Sequence, residues 1–156
     1  MDKFNRLEEI MDEIGFQKLI YDQIPITEKM GLEVIEFKPL SVKILARLKP
    51  NLNHKCTAFG GSINSLMTVC GWAAVFINIK EIDPNSHIVI QRSNIEYFLP
   101  IDKDFTAECT IEEQAGIEKF LFTYKKYSRA RLKLNVFCRD NDKILSKFEG
   151  QYVVFR

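Results

Sequence analysis

Apolar side chains recur at helical spacing near the start of the chain, at Phe4, Leu7, Ile10, Met11 and Ile14. This spacing predicts an amphipathic helix within residues 1–15. Asn5 and Glu8 are spaced as in a capping box, and Gly15 is expected to end the helix. A second short helix is expected to follow and to end before Pro25.

Beyond Met30 the apolar period falls to two, which is the spacing of a half-buried β-strand. In the segment 41–48, apolar side chains face one way while Lys43 and Arg47 face the other. The Asp-Asn-Asp sequence at 140–142 predicts a hairpin turn. Six segments are therefore expected to be strands: 32–37, 41–48, 88–98, 105–111, 131–139 and 144–155.

The middle of the chain, from Cys56 to Ile79, contains no charged residue, although 28% of the whole chain is charged. This length invites a membrane-spanning interpretation, since about 20 apolar residues cross a bilayer. The segment also holds many small or polar residues, and no Lys/Arg cluster flanks it to set an orientation. The pattern therefore favours one helix over 60–80 that its own domain buries on every side. A shorter helix is expected over 118–127.

The order of these elements is helix, two strands, one long buried helix and four strands. Alternating strands have one dry face, as in an antiparallel sheet, and that face needs a cover. The uncharged helix is the candidate for this cover. We therefore predict an α+β protein with the hotdog fold, in which a curved antiparallel sheet wraps around one long central helix. A single hotdog domain is expected over 1–156, with 1–15 as an extra N-terminal helix.

The composition is that of a folded globular protein, with 46% hydrophobic and 12% aromatic residues. A net charge of +1 gives no support for binding to nucleic acid or to a membrane surface. The acidic N-terminus lacks a signal-peptide core, so a cytoplasmic location is expected. Three of the four cysteines lie in hydrophobic patterns, which indicates buried thiols in a reducing compartment. With two histidines and no CxxC pair, no metal site is expected.

Several short motifs occur in an order that matches a known family. The segment 50–62 reads PNLNHKCTAFGGS, and it is accompanied by IPI at 24–26, MG at 30–31, GW at 71–72, YFLP at 97–100, RAR at 129–131 and FEGQY at 148–152. Together they resemble the thioesterase domain found at the C-terminus of some bacterial GNAT-type acetyltransferases, which is a hotdog-fold domain. The resemblance covers roughly residues 16–156 and implies both the fold and an activity on thioesters.

The wider group of hotdog acyl-CoA thioesterases carries an Asn, then His-Gly-Gly at the start of the central helix, then an acidic residue about two turns later. In this chain Asn53 matches the Asn, and Gly60 and Gly61 match the glycines. Phe59 occupies the His position, and Thr68 falls near the acid position. The chain therefore departs from the group at two catalytic groups while it keeps the pattern of the fold.

Five residues around the helix start are candidates for the chemistry. Gly60 or Gly61 is a candidate oxyanion site, because backbone N–H groups are free at a helix N-terminus; the alternative is a plain helix cap with a tight turn. Asn53 is a candidate to position water or the carbonyl, or else it satisfies loop backbone groups. Ser65 and Thr68 are candidates to hold a water, or else their hydroxyls bond back to helix carbonyls.

The general base is the open question of this sequence. No acidic residue lies within 56–79, so a carboxylate base cannot come from this helix. A neighbouring subunit is one source of such a group, and Glu33 and Glu96 are weaker candidates whose default interpretation is an exposed carboxylate. No motif ties His54 or His87 to a catalytic role, and each is expected to be a loop residue.

A basic run at 125–133 contains no acidic residue. Lys126, Arg129 and Arg131 in this run are candidate ligands for the diphosphate and ribose phosphate of CoA. The alternative is a solvated charged face, which is the commoner role of such a run.

We therefore expect a hydrolase that acts on the acyl thioester of CoA or of a carrier protein, with a positioned water as nucleophile. CoA enters as part of the substrate, and no separate cofactor is expected. Hotdog proteins of this kind assemble with sites between subunits, so the resemblance also implies a homodimer or homotetramer. The alternative is a non-catalytic module that binds acyl-CoA or lipid, since the family's His and acid are both replaced. A hotdog dehydratase is less favoured, because it needs the same two groups.

Overall fold

The computed structural model describes residues 11–156. Its helices are α1 (Glu13–Gln23), α2 (Ile26–Lys29), α3 (Gly60–Ile79) and α4 (Gln114–Tyr127), with a short 3-10 helix at Lys49–Asn51. Its strands are β1 (Leu32–Lys38), β2 (Ser41–Ala46), β3 (His87–Tyr97), β4 (Phe105–Thr110), β5 (Arg129–Asp140) and β6 (Lys143–Phe155). The six predicted strands and the long helix are confirmed, with shifts of a few residues at their ends.

The six strands form one antiparallel sheet in the order β1-β2-β4-β5-β6-β3. The sheet curls around α3, which contacts every one of its strands. This arrangement is the hotdog fold, as the alternation of dry and wet positions predicted. Strands β1 and β3 lie at the two edges of the sheet.

The central helix is buried along most of its length because its side chains are apolar or small on every face. Leu66, Met67, Cys70, Ala73 and Val75 have no exposed surface. Within residues 11–156, α3 is the one helix long and apolar enough to cross a bilayer, and 61% of that stretch is buried inside the protein. The sheet therefore covers the apolar surface that prompted the membrane-spanning interpretation.

The prediction that Gly15 ends a helix is wrong. Helix α1 begins at Glu13, and the Asp12 carboxylate accepts a 2.7 Å hydrogen bond from the Gly15 N–H. A capping carboxylate satisfies one of the free amides in a first helical turn, so Gly15 lies where a helix starts. The predicted helix before it, with its capping box, falls mainly on residues 1–10, outside the described part of the chain.

The two edges of the sheet are protected differently. Two side chains of α1 bond to β1 amides: Gln17 Oε1 accepts from the Val34 N–H at 2.9 Å, and Glu13 Oε1 accepts from the Phe37 N–H at 3.3 Å. In β3, no side chain among residues 11–156 accepts a hydrogen bond from a backbone N–H group. Trp72 Nε1 donates to the Ile88 carbonyl oxygen at 3.4 Å, and the strand is exposed along nearly all of its length. An uncovered strand edge offers unpaired N–H and C=O groups to another strand.

Two local predictions are confirmed as well. The hairpin between β5 and β6 turns through Asn141, whose φ of 52° is left-handed and suits an asparagine. Cys70, Cys109 and Cys138 are buried free thiols, and Cys56 is an exposed one. The three cysteines in hydrophobic patterns therefore act as small core residues.

Candidate active site

An open groove lies at the N-terminus of α3, between the loop that precedes the helix and the segment that follows β3. Its volume is about 360 Å³. Apolar residues line most of it: Ala58, Ile63, Phe98, Leu99, Pro100 and Ile101. Gly60 and the three polar side chains of Asn53, Thr57 and Tyr97 complete the lining. An apolar groove with a few polar groups is the usual composition of a small-molecule site.

Asn53 organises the loop before α3. Its Oδ1 accepts hydrogen bonds from the N–H groups of Lys55 at 2.8 Å and Thr57 at 3.1 Å. Its Nδ2 donates to Thr57 Oγ1 at 2.8 Å and to the Ala58 carbonyl oxygen at 3.5 Å. Both ends of the amide are engaged within the loop, which is the alternative that the sequence left open. Asn53 is therefore placed to shape the groove through its neighbours.

The N-terminus of α3 opens onto the groove at Gly60. Phe59 is the N-cap residue and makes no side-chain cap hydrogen bond. The N–H groups of Gly60, Gly61 and Ser62 are the first of the helix, where no intrahelical acceptor is available. They also carry the positive end of the dipole of a 20-residue helix. This end of the helix is therefore suited to bind an oxygen that carries negative charge.

The two glycines have different surroundings. A Cβ placed on Gly61 would lie 2.4 Å from Cε1 of Phe59, so the ring folds over the helix start in the space that a side chain would take. The ring remains 56% exposed. Gly60 lines the groove, whereas Gly61 supports the Phe59 ring and does not line it.

Tyr97 ties the end of β3 to the first residue of α3. Its hydroxyl donates a 2.9 Å hydrogen bond to the carbonyl oxygen of Gly60. Its ring lies 3.5 Å from the place that a Cβ on Gly60 would occupy. Burial raises the pKa of the Tyr97 phenol, so the group stays protonated and able to donate at neutral pH.

Ser65 and Thr68 lie farther along α3, and neither lines the groove. Ser65 Oγ donates to the Gly61 carbonyl oxygen, and Thr68 Oγ1 donates to the Asn64 carbonyl oxygen, each at 2.8 Å. The hydroxyl protons therefore satisfy helix carbonyls, which is the structural alternative stated for both residues. The structure does not bring Ser65 and Thr68 together with Asn53 and Gly60 in one lining.

The basic run lies at the opposite end of the sheet from the groove. In the strand register, Arg129 is aligned through Phe155 with His87, at the start of β3. Tyr97, which lines the groove, is at the other end of the same 11-residue strand. At about 3.3 Å per residue, the two levels are about 30 Å apart. Within one chain, Arg129 is therefore remote from the helix N-terminus.

The other two basic candidates have local contacts. Arg131 Nε donates to Gln91 Oε1 at 3.2 Å, and Gln151 Nε2 donates to the same oxygen at 2.7 Å. The Lys126 ammonium lies 5.1 Å from the centre of the Tyr127 ring. All of these side chains except Gln151 are in exposed residues, so Lys126 and Arg131 remain accessible to an anion.

The comparison with known families assigns the chain to one of them. Residues 14–156 match the family named Putative thioesterase (yiiD_Cterm). The chain belongs to this thioesterase family. The match begins one residue after the start of α1 and ends at the last residue of the chain, so it includes the groove and the whole sheet.

Solved structures share the fold of this thioesterase-family chain. A Chlorobaculum tepidum protein of unknown function matches with a TM-score of 0.85 at 24% identity, over 94% of this chain and 98% of that one. A putative thioesterase of Shewanella oneidensis matches with a TM-score of 0.78 at 23% identity, over 96% of this chain and 99% of that one. A Pseudomonas aeruginosa protein described as a probable thioesterase matches with a TM-score of 0.78 at 15% identity, over 89% of this chain and 92% of that one. At these identities the likeness establishes the fold.

The groove of this thioesterase-family chain is lined by no acidic residue and no histidine of the described part. Glu33 is engaged in a surface ion pair. Glu96 is exposed on β3, where its register partner is Lys147. His54 is exposed in the loop before α3, and His87 begins β3 at the end remote from the groove. A general base is therefore not supplied to the groove by these residues of the same chain.

The buried thiols are not available as nucleophiles in this thioesterase-family chain. Burial raises the pKa of Cys109 and of Cys138 to about 12, and it raises the pKa of Cys70 well above its ordinary value. The thiolate is the reactive form of cysteine, and these pKa values suppress it at neutral pH. Within residues 11–156, no group of three or more His, Cys, Asp or Glu side chains is placed to hold a metal ion.

Thr57 and Tyr97 also line the groove. Both lie within the motifs at 50–62 and 97–100, but no sequence pattern assigns a role to either residue. Thr57 follows Asn53 by four residues, a spacing that lets an asparagine side chain bond to the loop ahead of it. Tyr97 stands at the end of a strand of mixed pattern, where periodicity carries no information about direction. The four-residue spacing from Asn53 could therefore have indicated Thr57 from the sequence. The contact of Tyr97 with Gly60 could not be predicted, because it depends on tertiary structure.

Proposed function

We propose that this protein hydrolyses acyl thioesters of CoA or of an acyl carrier protein. The observation that carries the proposal is the opening of the α3 N-terminus, at Gly60, onto an apolar groove. Thioester hydrolysis needs both features, because the acyl chain requires a dry surface and the carbonyl oxygen requires preorganised donors. Membership of the thioesterase family supports the same class of reaction.

In the proposed reaction, a water oxygen attacks the thioester carbonyl carbon. As the new C–O bond forms, an electron pair of the C=O bond moves onto oxygen, where the N–H group of Gly60 or Gly61 stabilises the charge. The double bond then forms again, the C–S bond breaks and the thiolate leaves. The thiolate takes up a proton that balances the one lost by water, so the products are a carboxylic acid and a thiol. CoA is part of the substrate, and no separate cofactor takes part.

The proposed assembly is a homodimer, or a tetramer built from it, that pairs through the β3 edges. The β1 edge is covered by α1, whereas β3 presents its edge together with the exposed side chains of Val89 and Ile90, which are 46% and 39% accessible. A long uncovered strand with apolar side chains favours pairing with another strand. If a two-fold axis passes beside the middle of β3, the same strand edge of each copy pairs with that of the other, so one surface supplies both sides of the interface.

This assembly accounts for the distance between the groove and the basic run. Antiparallel pairing of two β3 strands about their midpoints places the start of the partner's β3 beside Tyr97. The partner's Arg129 then lies three strand spacings from Tyr97, about 15 Å at about 4.8 Å per spacing. An extended pantetheine arm spans that distance. The proposed site therefore binds the acyl thioester in one groove and its phosphates with the partner's Lys126, Arg129 and Arg131.

Hydrolysis of a panel of acyl-CoAs, followed by mass spectrometry, tests the proposed function. Wild type is compared with Asn53→Ala, which removes the loop bonds, and with Asn85→Ala, which changes an exposed turn residue. We expect turnover of at least one chain length, a loss of about 10²-fold or more in Asn53→Ala, and no change in Asn85→Ala. Bound CoA without turnover at any chain length contradicts the hydrolase.

A non-catalytic module that binds acyl-CoA or lipid is the second candidate function. It is favoured by one observation, which is that Phe59 and Thr68 stand where the wider thioesterase group has its His and its acid. This function predicts saturable binding of acyl-CoA in calorimetry, with the thioester recovered intact. Recovery of free CoA in proportion to the amount of protein excludes it.

A further inference from the structure

The groove contains three polar side chains, and the protons of two of them are donated to groups of the protein itself. The Tyr97 hydroxyl donates to the Gly60 carbonyl oxygen at 2.9 Å. The two Nδ2 protons of Asn53 point to Thr57 Oγ1 at 2.8 Å and to the Ala58 carbonyl oxygen at 3.5 Å. The proton of Thr57 is the remaining one, and no acceptor for it is found among residues 11–156.

The direction of the bond between Asn53 and Thr57 follows from the backbone around them. Oδ1 of Asn53 receives the N–H groups of Lys55 and Thr57, and an N–H group can only donate. The oxygen of the amide must therefore face these two groups, which leaves Nδ2 facing Thr57 Oγ1. Because an amide nitrogen only donates, Thr57 Oγ1 must be the acceptor of this bond.

A hydroxyl that accepts on one side is free to donate on another. Because Asn53 Nδ2 donates to one lone pair of Thr57 Oγ1, the O–H bond of Thr57 is directed away from this amide. Thr57 is also one of the residues that line the groove. Accepting a hydrogen bond polarises the hydroxyl, and this strengthens the hydrogen bond that the hydroxyl itself donates. Thr57 is therefore the one groove side chain, in the described part of the chain, with a proton ready for a ligand.

We propose that the Thr57 hydroxyl donates a hydrogen bond to the thioester carbonyl oxygen and is a catalytic residue of this site. The inference rests on the proposed hydrolase function and adds a side-chain donor to the backbone donor at Gly60 or Gly61. Thr57 keeps its proton throughout, and its bond shortens as negative charge develops on the oxygen. Asn53 is then a positioning residue that acts through Thr57.

Kinetics of three variants test the role in turnover. Thr57→Val keeps the shape and removes the hydroxyl, Thr57→Ser restores a hydroxyl, and Thr123→Val removes a hydroxyl that bonds back to a carbonyl of α4. We expect kcat to fall by about 10²- to 10³-fold in Thr57→Val with KM little changed. Thr57→Ser should recover most of the activity, and Thr123→Val should equal wild type. Unchanged kcat in a folded Thr57→Val variant overturns the proposal.

A spectroscopic measurement tests the contact without requiring turnover. The probe is a ketone analogue of acyl-CoA, in which a methylene group replaces the thioester sulfur and the carbonyl carbon carries the NMR label. A hydrogen bond to the carbonyl oxygen moves its carbon resonance downfield. We expect this shift in wild type and in Thr57→Ser, and a smaller shift in Thr57→Val, where only backbone donation from the start of α3 remains. An equal shift in Thr57→Val overturns the contact, whereas a failure of the hydrolase function alone shows as thioester that stays intact.

Discussion

The ring of Tyr152 occupies the space that a side chain at Gly71 would need. A Cβ on Gly71 would lie 2.3 Å from the Tyr152 hydroxyl oxygen. The same hydroxyl donates a 2.7 Å hydrogen bond to the carbonyl oxygen of Thr68, one turn earlier in α3. Strand β6 is thus joined to α3 by the buried Tyr152, whose ring packs directly against the helix backbone at Gly71.

This contact predicts that Gly71→Ala destabilises the protein, although alanine is ordinarily the better helix former. We expect a loss of about 1–3 kcal/mol in the free energy of unfolding, measured by urea denaturation, because the added methyl group displaces Tyr152. Gly116→Ala is the matched control, since Gly116 lies in α4 with no heavy atom within 4 Å of its would-be Cβ. It should be neutral or stabilising by up to about 1 kcal/mol. A Gly71→Ala protein as stable as wild type would contradict the contact.

A second prediction concerns Asp83, where the Tyr124 hydroxyl donates a 2.6 Å bond to the carboxylate and Arg156 pairs with it at 3.2 Å. The Tyr124 bond is the main cause that holds the pKa of Asp83 below its ordinary value of 3.8. A lowered folded-state pKa contributes stability above the ordinary pKa, and this contribution is lost as the pH falls through the lowered value.

Tyr124→Phe should therefore be less stable than wild type at neutral pH, and the difference should shrink as the pH is taken below 3.8. Urea midpoints across this pH range measure the effect. Tyr127→Phe, at the exposed end of the same helix, serves as control and should match wild type at every pH. A difference that stays constant into acid would assign Tyr124 a packing role alone.

The proposed β3 interface predicts the effect of charge at that edge. The double variant Val89→Lys with Ile90→Lys should sediment as a monomer, because lysines on an edge strand oppose pairing with another strand. Turnover of acyl-CoA should fall with it, since the proposed site takes its phosphate ligands from the partner. Phe122→Lys, on the 67% exposed Phe122 of α4, is the matched control and should keep the wild-type assembly. Unchanged sedimentation of the double variant rejects the β3 interface.

The phosphate-binding role predicts a difference between two substrates. Arg129→Gln with Arg131→Gln should raise KM for an acyl-CoA by about tenfold or more, as expected for lost charge-assisted hydrogen bonds. The KM for the matching acyl-pantetheine, which lacks the nucleotide phosphates, should stay as in wild type. Lys18→Gln with Lys29→Gln, at two exposed lysines of α1 and α2, is the control for the loss of two positive charges. Equal effects on both substrates would exclude phosphate recognition by these arginines.

The fold could be predicted from the sequence because the burial of each strand follows its alternation. In β4, Phe105, Ala107 and Cys109 are buried while the intervening residues are not, as a two-residue period requires. The absence of charged residues from the segment that forms α3 likewise predicted that the sheet would bury this helix. Helix starts were harder to predict: α1 begins earlier than expected because Asp12 caps it, and nothing in the periodicity reports a cap.

The site was predicted less completely, since it depends on contacts between distant segments. Gly60 and Asn53 could be found because both lie in one contiguous motif and both line the groove. Tyr97 meets Gly60 only after the chain has passed through α3 and β3. The basic run was a candidate phosphate site with a solvated charged face as its alternative, and the sequence alone could not show that the strand register carries Arg129 to the end of the sheet remote from the groove.

The different edges of the sheet also limit how far the chain can assemble. Glu13 and Gln17 occupy backbone groups on one border, so a newly joined copy presents a closed border outward. In the proposed β3 dimer, growth by strand addition is therefore self-terminating, because pairing two copies leaves only their covered β1 edges facing outward. For such a dimer, the side chains of Glu13 and Gln17 in α1 would oppose the addition of further copies into a fibre.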